Sequence, residues 1–116
     1  MRLPVTRALE VCPLEAAICL VGGSWKLTIL NNLHEHGTLR FSELRRAIGG
    51  GINERTLARQ LRELETDDLV HRKVYAQVPP RVEYRLTPWT EQLAPTIAAL
   101  NDWGQRWARG HSGDEA

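Results

Sequence analysis

Apolar side chains recur every three or four residues through the first half of the chain, which is the spacing of amphipathic helices. The first predicted helix begins at Pro13, directly after Cys12, and ends at the glycine pair 22–23. A second helix is predicted from Ser24, a good N-cap residue, to Gly37. Their apolar faces consist of Leu14, Ala17, Ile18 and Val21 in the first helix and Trp25, Ile29, Leu30 and Leu33 in the second.

Two shorter helices follow, separated by three glycines at 49–51. Ser42 is the predicted N-cap of the third helix, and Asn53 is the predicted N-cap of the fourth. The inward faces consist of Leu44, Ala47 and Ile48 in the third helix and Leu57, Leu61 and Leu64 in the fourth. Because the three leucines recur at i, i+4 and i+7, the opposite face of the fourth helix must face solvent.

From Leu69 onward the apolar period changes to two, which is the period of a strand. One strand contains Val70 and Val74, and a second contains Val82, Tyr84 and Leu86. The pair Pro79-Pro80 cannot donate ladder hydrogen bonds, so residues 76–80 should form a stiff, extended loop. Thr87 and Pro88 then open a long last helix, whose apolar side consists of Leu93, Ile97, Leu100, Trp103 and Trp107.

Two short helices joined by a glycine turn, the second leading into a hairpin, match a helix-turn-helix with an attached wing. The predicted fold is therefore mainly α, of the α+β class: a winged helix-turn-helix with a two-stranded β-hairpin wing and a long C-terminal dimerisation helix. The last helix carries more large apolar side chains than so small a domain can cover, which favours an interface. The alternative is that Trp103 and Trp107 cap the core of their own domain.

Composition narrows the class of protein. A length of 116 residues with 42% hydrophobic and 25% charged residues indicates one folded domain. No apolar run reaches the roughly 18 residues of a membrane span and no signal core is visible, so we expect a cytoplasmic protein without membrane contact. Residues 40–85 contain ten Lys and Arg against seven Asp and Glu, so the basic excess is regional.

The sequence contains no arrangement of residues typical of an enzyme or a metal site. Neither Cys12 nor Cys19 has the spacing of a disulfide framework or a metal cluster. His34 and His36 flank Glu35, but side chains two apart on a helix diverge. No serine has a nearby His and acid, and no phosphate-binding glycine motif is present, so we expect no enzyme activity, no cofactor and no metal.

The solvent face of the fourth helix carries the candidate chemistry. At about 100° per residue, Arg55, Arg59 and Arg62 share one stripe, with Thr56 and Gln60 beside it. In a major groove, Arg pairs with guanine and Gln with adenine, so the predicted base-reading residues are Arg55, Thr56, Arg59 and Gln60. The predicted contacts to the DNA backbone are Arg40, Ser42, Arg45, Arg46, Arg62, Arg72, Lys73 and Arg81.

Two alternatives remain open at this point. Arg81, beside the prolines, is a candidate for entering a minor groove instead of contacting phosphates. The arginine stripe is also compatible with an ordinary solvated face, since Glu54, Glu63 and Glu65 lie on the same helix.

An ordered set of short motifs resembles the HxlR-type winged-helix regulators, relatives of the MarR group. The longer motifs are Cys12-Pro13-Leu14-Glu15, Gly22-Gly23-Ser24-Trp25-Lys26 leading to Ile29-Leu30, Leu39-Arg40-Phe41-Ser42-Glu43-Leu44-Arg45-Arg46, Leu57 through Gln60-Leu61-Arg62-Glu63-Leu64-Glu65 and Val78-Pro79-Pro80-Arg81-Val82-Glu83-Tyr84. The shorter ones are Leu69-Val70, Tyr75 and Leu86-Thr87. The resemblance extends from about Cys12 to Gly104, and the ordered set with its Pro-Pro-Arg-Val-Glu-Tyr wing is highly specific. The chain departs from the usual pattern at 87–90, where such proteins more often have a Thr-Glu-Lys-Gly-like start, and at the triple glycine before Ile52.

The resemblance implies a homodimer that binds double-stranded DNA at a pseudo-palindromic operator, with the fourth helix in the major groove and the hairpin as wing. It implies a dimer interface formed by Leu14, Ile18, Leu93, Ile97, Leu100 and Trp103. Residues 1–11 would form an N-terminal arm, residues 12–104 the DNA-binding domain, and residues 105–116 the end of the last helix and a flexible tail.

The expected function is therefore transcription regulation, with repression as the expected mode and a small molecule or a redox signal as a candidate effector. The alternative is a winged-helix protein–protein interaction module without specific DNA readout. Cys12 is a candidate redox or electrophile sensor, because it precedes a helix whose N-terminal dipole favours thiolate and because some relatives sense through a matching Cys-Pro. The competing interpretation is a small residue that only packs.

Overall fold

The computed structural model describes residues 1–23 and 25–112. Within that part of the chain the helices are α1 (Leu3–Val11), α2 (Pro13–Val21), α3 (Lys26–His36), α4 (Phe41–Ile48), α5 (Glu54–Thr66), α6 (Pro88–Glu91) and α7 (Ala94–Gly110). The strands are β1 (Leu39–Arg40), β2 (Val70–Tyr75) and β3 (Arg81–Leu86). The predicted N-cap Ser24 and the last four residues of the predicted tail lie outside the described residues.

The core forms around α5, the predicted fourth helix. Its three leucines, Leu57, Leu61 and Leu64, are at most 1% exposed. Full burial of one such side chain contributes about 1.5–3 kcal/mol, so this face dominates the placement of the helix. The predicted inward residues Ile29, Leu30, Leu33, Leu44, Val70 and Leu86 pack in the same cluster, together with Ile52 and Leu69.

The sheet has three strands, in the order β1-β3-β2, and all pairs are antiparallel. The predicted hairpin is confirmed, and β1 adds a third strand that pairs Leu39 with Tyr84 and Arg40 with Glu83. A two-residue strand is too short to show a period of two, so the sequence pattern could not reveal it. The fold class is confirmed: a mainly helical winged helix-turn-helix with a long C-terminal helix.

Two predicted helix starts differ in the structure. Ser42 is not the N-cap of α4, because the helix begins at Phe41, two residues earlier than predicted, and Arg40 is its N-cap. The Glu43 carboxylate accepts a hydrogen bond from the Arg40 N–H at 2.8 Å. A glutamate at the third helical position thus accepts from the N–H of the N-cap residue, as in a capping box. Trp25 does not lie within α3, since it occupies the N-cap position with a φ of 77°, and the helix begins at Lys26.

The prediction of one unbroken helix that begins at Pro88 is wrong. The chain forms the short helix α6 and then α7, and Thr87 caps α6 as expected by accepting from the Thr90 N–H. Pro95 explains the break, because it has no N–H to donate to the carbonyl of Glu91 and its ring clashes with that carbonyl in a continuous helix.

Residues 1–11, which were expected to form an arm, contain the helix α1. Arg2 is the N-cap of this helix and connects it to the C-terminal end of α5. The Arg2 backbone N–H donates to Asp67 Oδ1 at 3.0 Å, and its Nε donates to Asp67 Oδ2 at 2.7 Å. Its terminal nitrogens donate to Glu63 Oε1 at 3.3 Å and to the Cys19 carbonyl in α2 at 3.1 Å. The Asp67 side chain has no exposed surface, so this pairing compensates a buried charge.

Lys26, only 3% exposed, completes the network with Nζ 2.7 Å from Glu63 Oε1. The hydrogen bond from Lys26 holds the pKa of the Glu63 carboxyl below its usual value, although burial acts in the opposite direction. Glu63 therefore stays ionised at neutral pH and compensates the buried ammonium group. Helices α1, α2, α3 and α5 are thus connected by one cluster of charges.

Among the described residues, no single helix is both long and apolar enough to cross a membrane. One pair of helices, α2 and α3, meets the criteria of length and composition when the two are taken together, but the pair is bent by 77°.

Candidate nucleic-acid interface

The outward face of α5 carries the predicted arginine stripe. Arg55, Arg59 and Arg62 are exposed, and Thr56 is half-buried beside them. Asn53 caps the helix as predicted, since its side-chain oxygen accepts from the Thr56 N–H at 2.8 Å. Because the leucines fill the core on the opposite side, the three guanidinium groups are presented together to solvent. A 13-residue helix is about 20 Å long, which suits a major groove about 12 Å wide.

Gln60 does not belong to this face. It is only 7% exposed, and its Oε1 atom is shielded from solvent without a hydrogen-bond partner among the described residues. In helical projection Gln60 lies between the exposed stripe and the leucines, and tertiary packing covers it. This burial argues against the predicted role of Gln60 in reading adenine, so we leave Gln60 out of the proposed base-reading residues.

The turn between α4 and α5 is held by Arg45. Its Nε donates to the Ile52 carbonyl at 3.3 Å, and its Nη1 lies 3.2 Å from Glu54 Oε1. Ser42, Arg46 and the three glycines line a cleft of about 510 Å³ beside it. Gly49 and Gly51 have φ values of 93° and 106°, so the turn requires glycine conformations rather than merely tolerating them.

The predicted backbone contacts of the wing lie on two different faces. Antiparallel register pairs Arg72 with Tyr84 and Lys73 with Glu83, and neighbouring residues of a strand point to opposite sides. Arg72 lines a cleft with Arg62 on α5, whereas Lys73 lies on the opposite face with Arg81. Arg40, on β1, is exposed and pairs with Glu83 in register.

All six residues predicted at the dimer interface line one apolar groove of about 640 Å³ between α2 and α7. Leu14, Ile18, Leu100 and Trp103 are each about half or more exposed, and α7 contains no buried residue. Leu93 and Ile97 pack partly against the core at the bottom of the groove. Trp103 and Trp107 do not cap the core of their own chain, since they are 56% and 54% exposed.

Cys12 lies between α1 and α2 and is partly buried. It is the N-cap of α2, and its Sγ accepts a hydrogen bond from the Glu15 N–H at 3.4 Å. The sulfur therefore faces the N–H groups at the start of a helix, as its place before Pro13 predicts.

The model of the HxlR-like helix-turn-helix family matches residues 20–112, which include α3 to α7 and the whole wing. The chain belongs to this family. The family consists of helix-turn-helix transcriptional regulators, which are DNA-binding proteins and not enzymes.

Individual relatives agree with this assignment. The HTH-type transcriptional regulator YdeP of Bacillus subtilis is 45% identical over 98 residues, covering 84% of this chain and 75% of the relative. YtfH of Escherichia coli, also an HTH-type transcriptional regulator, is 48% identical over 94 residues, covering 81% and 73%. The redox regulator HypR in its reduced form superposes with a TM-score of 0.76 at 43% identity, covering 84% of this chain and 93% of the other.

Two wing residues to which the sequence analysis assigned no functional role, Tyr75 and Glu83, lie close to the basic side chains of the wing. The Tyr75 hydroxyl donates to Glu83 Oε1 at 3.0 Å, and both residues share a face with Arg81. The sequence contains a signal for this shared face, because side chains alternate along each strand, Tyr75 is the last residue of β2 and Arg81 is the first residue of β3. It becomes visible only once the register of the hairpin is known.

The burial of Gln60 leads to a direct test. Gln60→Met keeps the size of the side chain and removes an amide oxygen without a partner, so we expect the free energy of unfolding to rise by about 1 kcal/mol in urea titrations. Gln77→Met, at an exposed loop position, should change it by less than about 0.5 kcal/mol. A loss of stability in Gln60→Met, or a loss of discrimination at one base pair of a bound duplex, would contradict this interpretation.

Proposed function

We propose that this regulator acts in the cytoplasm as a homodimer that binds a pseudo-palindromic operator, with α5 in the major groove and the wing on the backbone or in the minor groove. The observation that carries the proposal is the arrangement of α5, which buries its leucines and exposes Arg55, Arg59 and Arg62 on one stripe. Repression is the proposed mode, because a dimer that occupies promoter grooves excludes other proteins from them.

The contacts divide into two classes. Arg55, Thr56 and Arg59 lie in the first two turns of α5 and are the proposed base-reading residues. Arg46 and Ser42 line the cleft beside the turn, and the other proposed phosphate contacts are Arg40, Arg62 and Lys73. Arg81, beside the prolines of the wing, is proposed to contact either phosphates or the minor groove. Arg45 and Arg72 complete the predicted set of contacts to the DNA backbone. Arg45 is already bonded within the turn, and Arg72 lines a cleft with Arg62.

Selection of bound duplexes from random DNA tests the proposal, with titrations of variants on the selected duplex. Arg59→Ala should cost about 1–3 kcal/mol and relax the preference at one base pair, because a bidentate contact is lost. Lys73→Ala should weaken binding to all duplexes about equally and lower the salt dependence, and Arg7→Ala on α1 serves as the matched control.

The rival function is a protein–protein interaction module with no DNA specificity. It predicts that selection returns no common sequence and that every duplex binds equally and weakly. A two-fold related pair of half-sites about 10 bp or a multiple apart supports the operator proposal instead.

The dimer is proposed from the apolar groove. Its occupant is a second copy of the chain, because the groove joins two helices, α2 and α7, that expose large apolar side chains along their length. Exposed patches of this kind on a soluble domain mark interfaces. An isologous contact between two such surfaces would relate the two α5 helices by a two-fold axis, which is the symmetry of a pseudo-palindromic operator.

We expect Ile18→Glu to weaken the dimer at least 30-fold, as roughly 2 kcal/mol or more is lost at a central contact, measured by sedimentation equilibrium. Val78→Glu is the matched control, since Val78 is 99% exposed at the wing tip and lies outside the groove. A wild-type chain that sediments as a monomer at tens of micromolar, or equal effects of both substitutions, would contradict the proposed dimer.

A second proposal concerns regulation through Cys12. HypR, one of the similar structures, is a redox regulator solved in an oxidised and a reduced form, and the Cys12 sulfur lies at the N-terminus of α2, where it accepts a hydrogen bond from the Glu15 N–H. Cys12 also lies at the junction of α1 and α2, and α2 lines the groove. We infer that oxidation or alkylation of Cys12 alters the dimer and through it the binding of DNA.

Alkylation with N-ethylmaleimide should change the affinity for the selected duplex by roughly 5- to 150-fold, the usual range for coupling between two sites. The change should persist in Cys19→Ser and disappear in Cys12→Ser. If the affinity of the alkylated wild-type protein equals that of the untreated protein, Cys12 is not a sensor.

A further inference from the structure

Four side chains near the end of the hairpin form a connected group, which we call the wing cluster: Lys73, Tyr75, Arg81 and Glu83. Register pairs Tyr75 with Arg81 and Lys73 with Glu83, so all four lie on the face of the sheet opposite the buried Val70. Arg81 Cζ lies 4.0 Å from the centroid of the Tyr75 ring, and Lys73 Nζ lies 4.8 Å from it. Both cations are within the range of about 6 Å for cation–π attraction.

Glu83 fixes the group from one side. One of its oxygens accepts from the Tyr75 hydroxyl at 3.0 Å, and the other lies 3.4 Å from Arg81 Nε. The same carboxylate therefore contacts both the phenol group and the guanidinium group, the second as an ion pair only, since Arg81 Nε has no hydrogen-bond partner among the described residues. The Arg81 side chain keeps 32% of its surface exposed, so it remains accessible to a partner from outside.

The cluster still favours an anionic partner. Lys73 and Arg81 together outweigh Glu83 by one positive charge, and Arg85 is exposed two residues further along the same strand and on the same face. An arginine that is already restricted loses less rotamer entropy on binding than one that is free in solvent. A held, accessible guanidinium suits a narrow minor groove, whose negative potential attracts arginine.

We propose that Tyr75 is a positioning residue for DNA recognition by the wing: together with Glu83 it holds Arg81 in the orientation that enters the minor groove at the outer parts of the operator. This inference rests on the proposed function and assigns specificity to a residue that need not touch DNA. The Tyr75 hydroxyl is used by Glu83 and the ring is partly buried, so its effect must pass through Arg81. The competing role is that the cluster only stabilises the hairpin.

The test uses the duplex selected by the wild-type protein and two derivatives, in which the outer A·T pairs are replaced by G·C or by inosine·C. Inosine lacks the amino group that G·C adds to the minor groove, so it restores an A·T-like minor groove within a G·C-like major groove. Wild-type protein should bind the A·T and inosine duplexes alike and the G·C duplex more weakly.

Tyr75→Leu should weaken binding to the A·T and inosine duplexes roughly 3- to 10-fold and leave the G·C duplex almost unchanged. The double variant Tyr75→Leu with Arg81→Ala should bind like Arg81→Ala alone, because the tyrosine acts through the arginine. Tyr75→Phe, which is nearly isosteric and keeps the ring, should lose about twofold, and Tyr84→Phe on the opposite face of the hairpin is the matched control.

Several results would overturn the inference. Additive losses in the double variant, equal losses on all three duplexes, or a lower Tm without any change in groove preference would each assign Tyr75 a structural role. Tyr75→Phe keeps the test valid if Tyr75→Leu fails to fold, since an affinity and preference identical to wild type would then exclude positioning through Glu83. If the wild type selects no common sequence, the proposed function fails; if it selects half-sites that depend on Arg59 but not on Tyr75 or Arg81, only this inference fails.

Discussion

The rest of the molecule depends on the burial of the leucine face of α5. Leu57, Leu61 and Leu64 are the centre of a core to which α3, α4 and the sheet all contribute. Rotation of α5 about its axis would expose these leucines at a cost of several kcal/mol, so the helix has one orientation in the domain. The orientation of the arginine stripe is a consequence of that packing. Specific recognition of DNA would therefore derive its geometry from the hydrophobic core rather than from interactions among the arginines.

Polar contacts fix the two ends of the same helix. Asn53 caps its start, and the Arg45 contacts with Ile52 and Glu54 hold it against α4. At its far end, Glu63 and Asp67 receive Lys26 and Arg2. Because Arg2 precedes α1 and Cys12 separates α1 from α2, the segment that carries the candidate sensor is connected to the end of the recognition helix. A displacement of α1 would have to break or carry along these ion pairs.

Sequence periodicity was sufficient for the elements that bury one clear face. It predicted α5 with its cap, the hairpin and most of the core, although Ala47, predicted to face inward on α4, is exposed. The six predicted interface residues, which are among those that line the apolar groove, came from the family resemblance instead. Periodicity failed where a local feature or a distant contact decides. The two-residue β1 has no period, Pro95 interrupts an otherwise helical pattern, and α1 is too short to show more than Val5 as a buried position. Gln60 shows the same limit within α5, because its angular position is intermediate and only tertiary packing decides that it is covered.

The central claim is that two copies of the chain present their α5 stripes to successive major grooves on one side of a duplex. The distance between the two α5 helices in the free dimer tests it most directly, measured by double electron–electron resonance between nitroxide labels at Arg62→Cys in a Cys12→Ser, Cys19→Ala background. One helical turn of DNA separates such half-sites by about 34–36 Å, so a main distance of about 30–45 Å is predicted once the label linkers are included. A main distance below about 20 Å or above about 60 Å, or the absence of any intermolecular distance, would contradict the account.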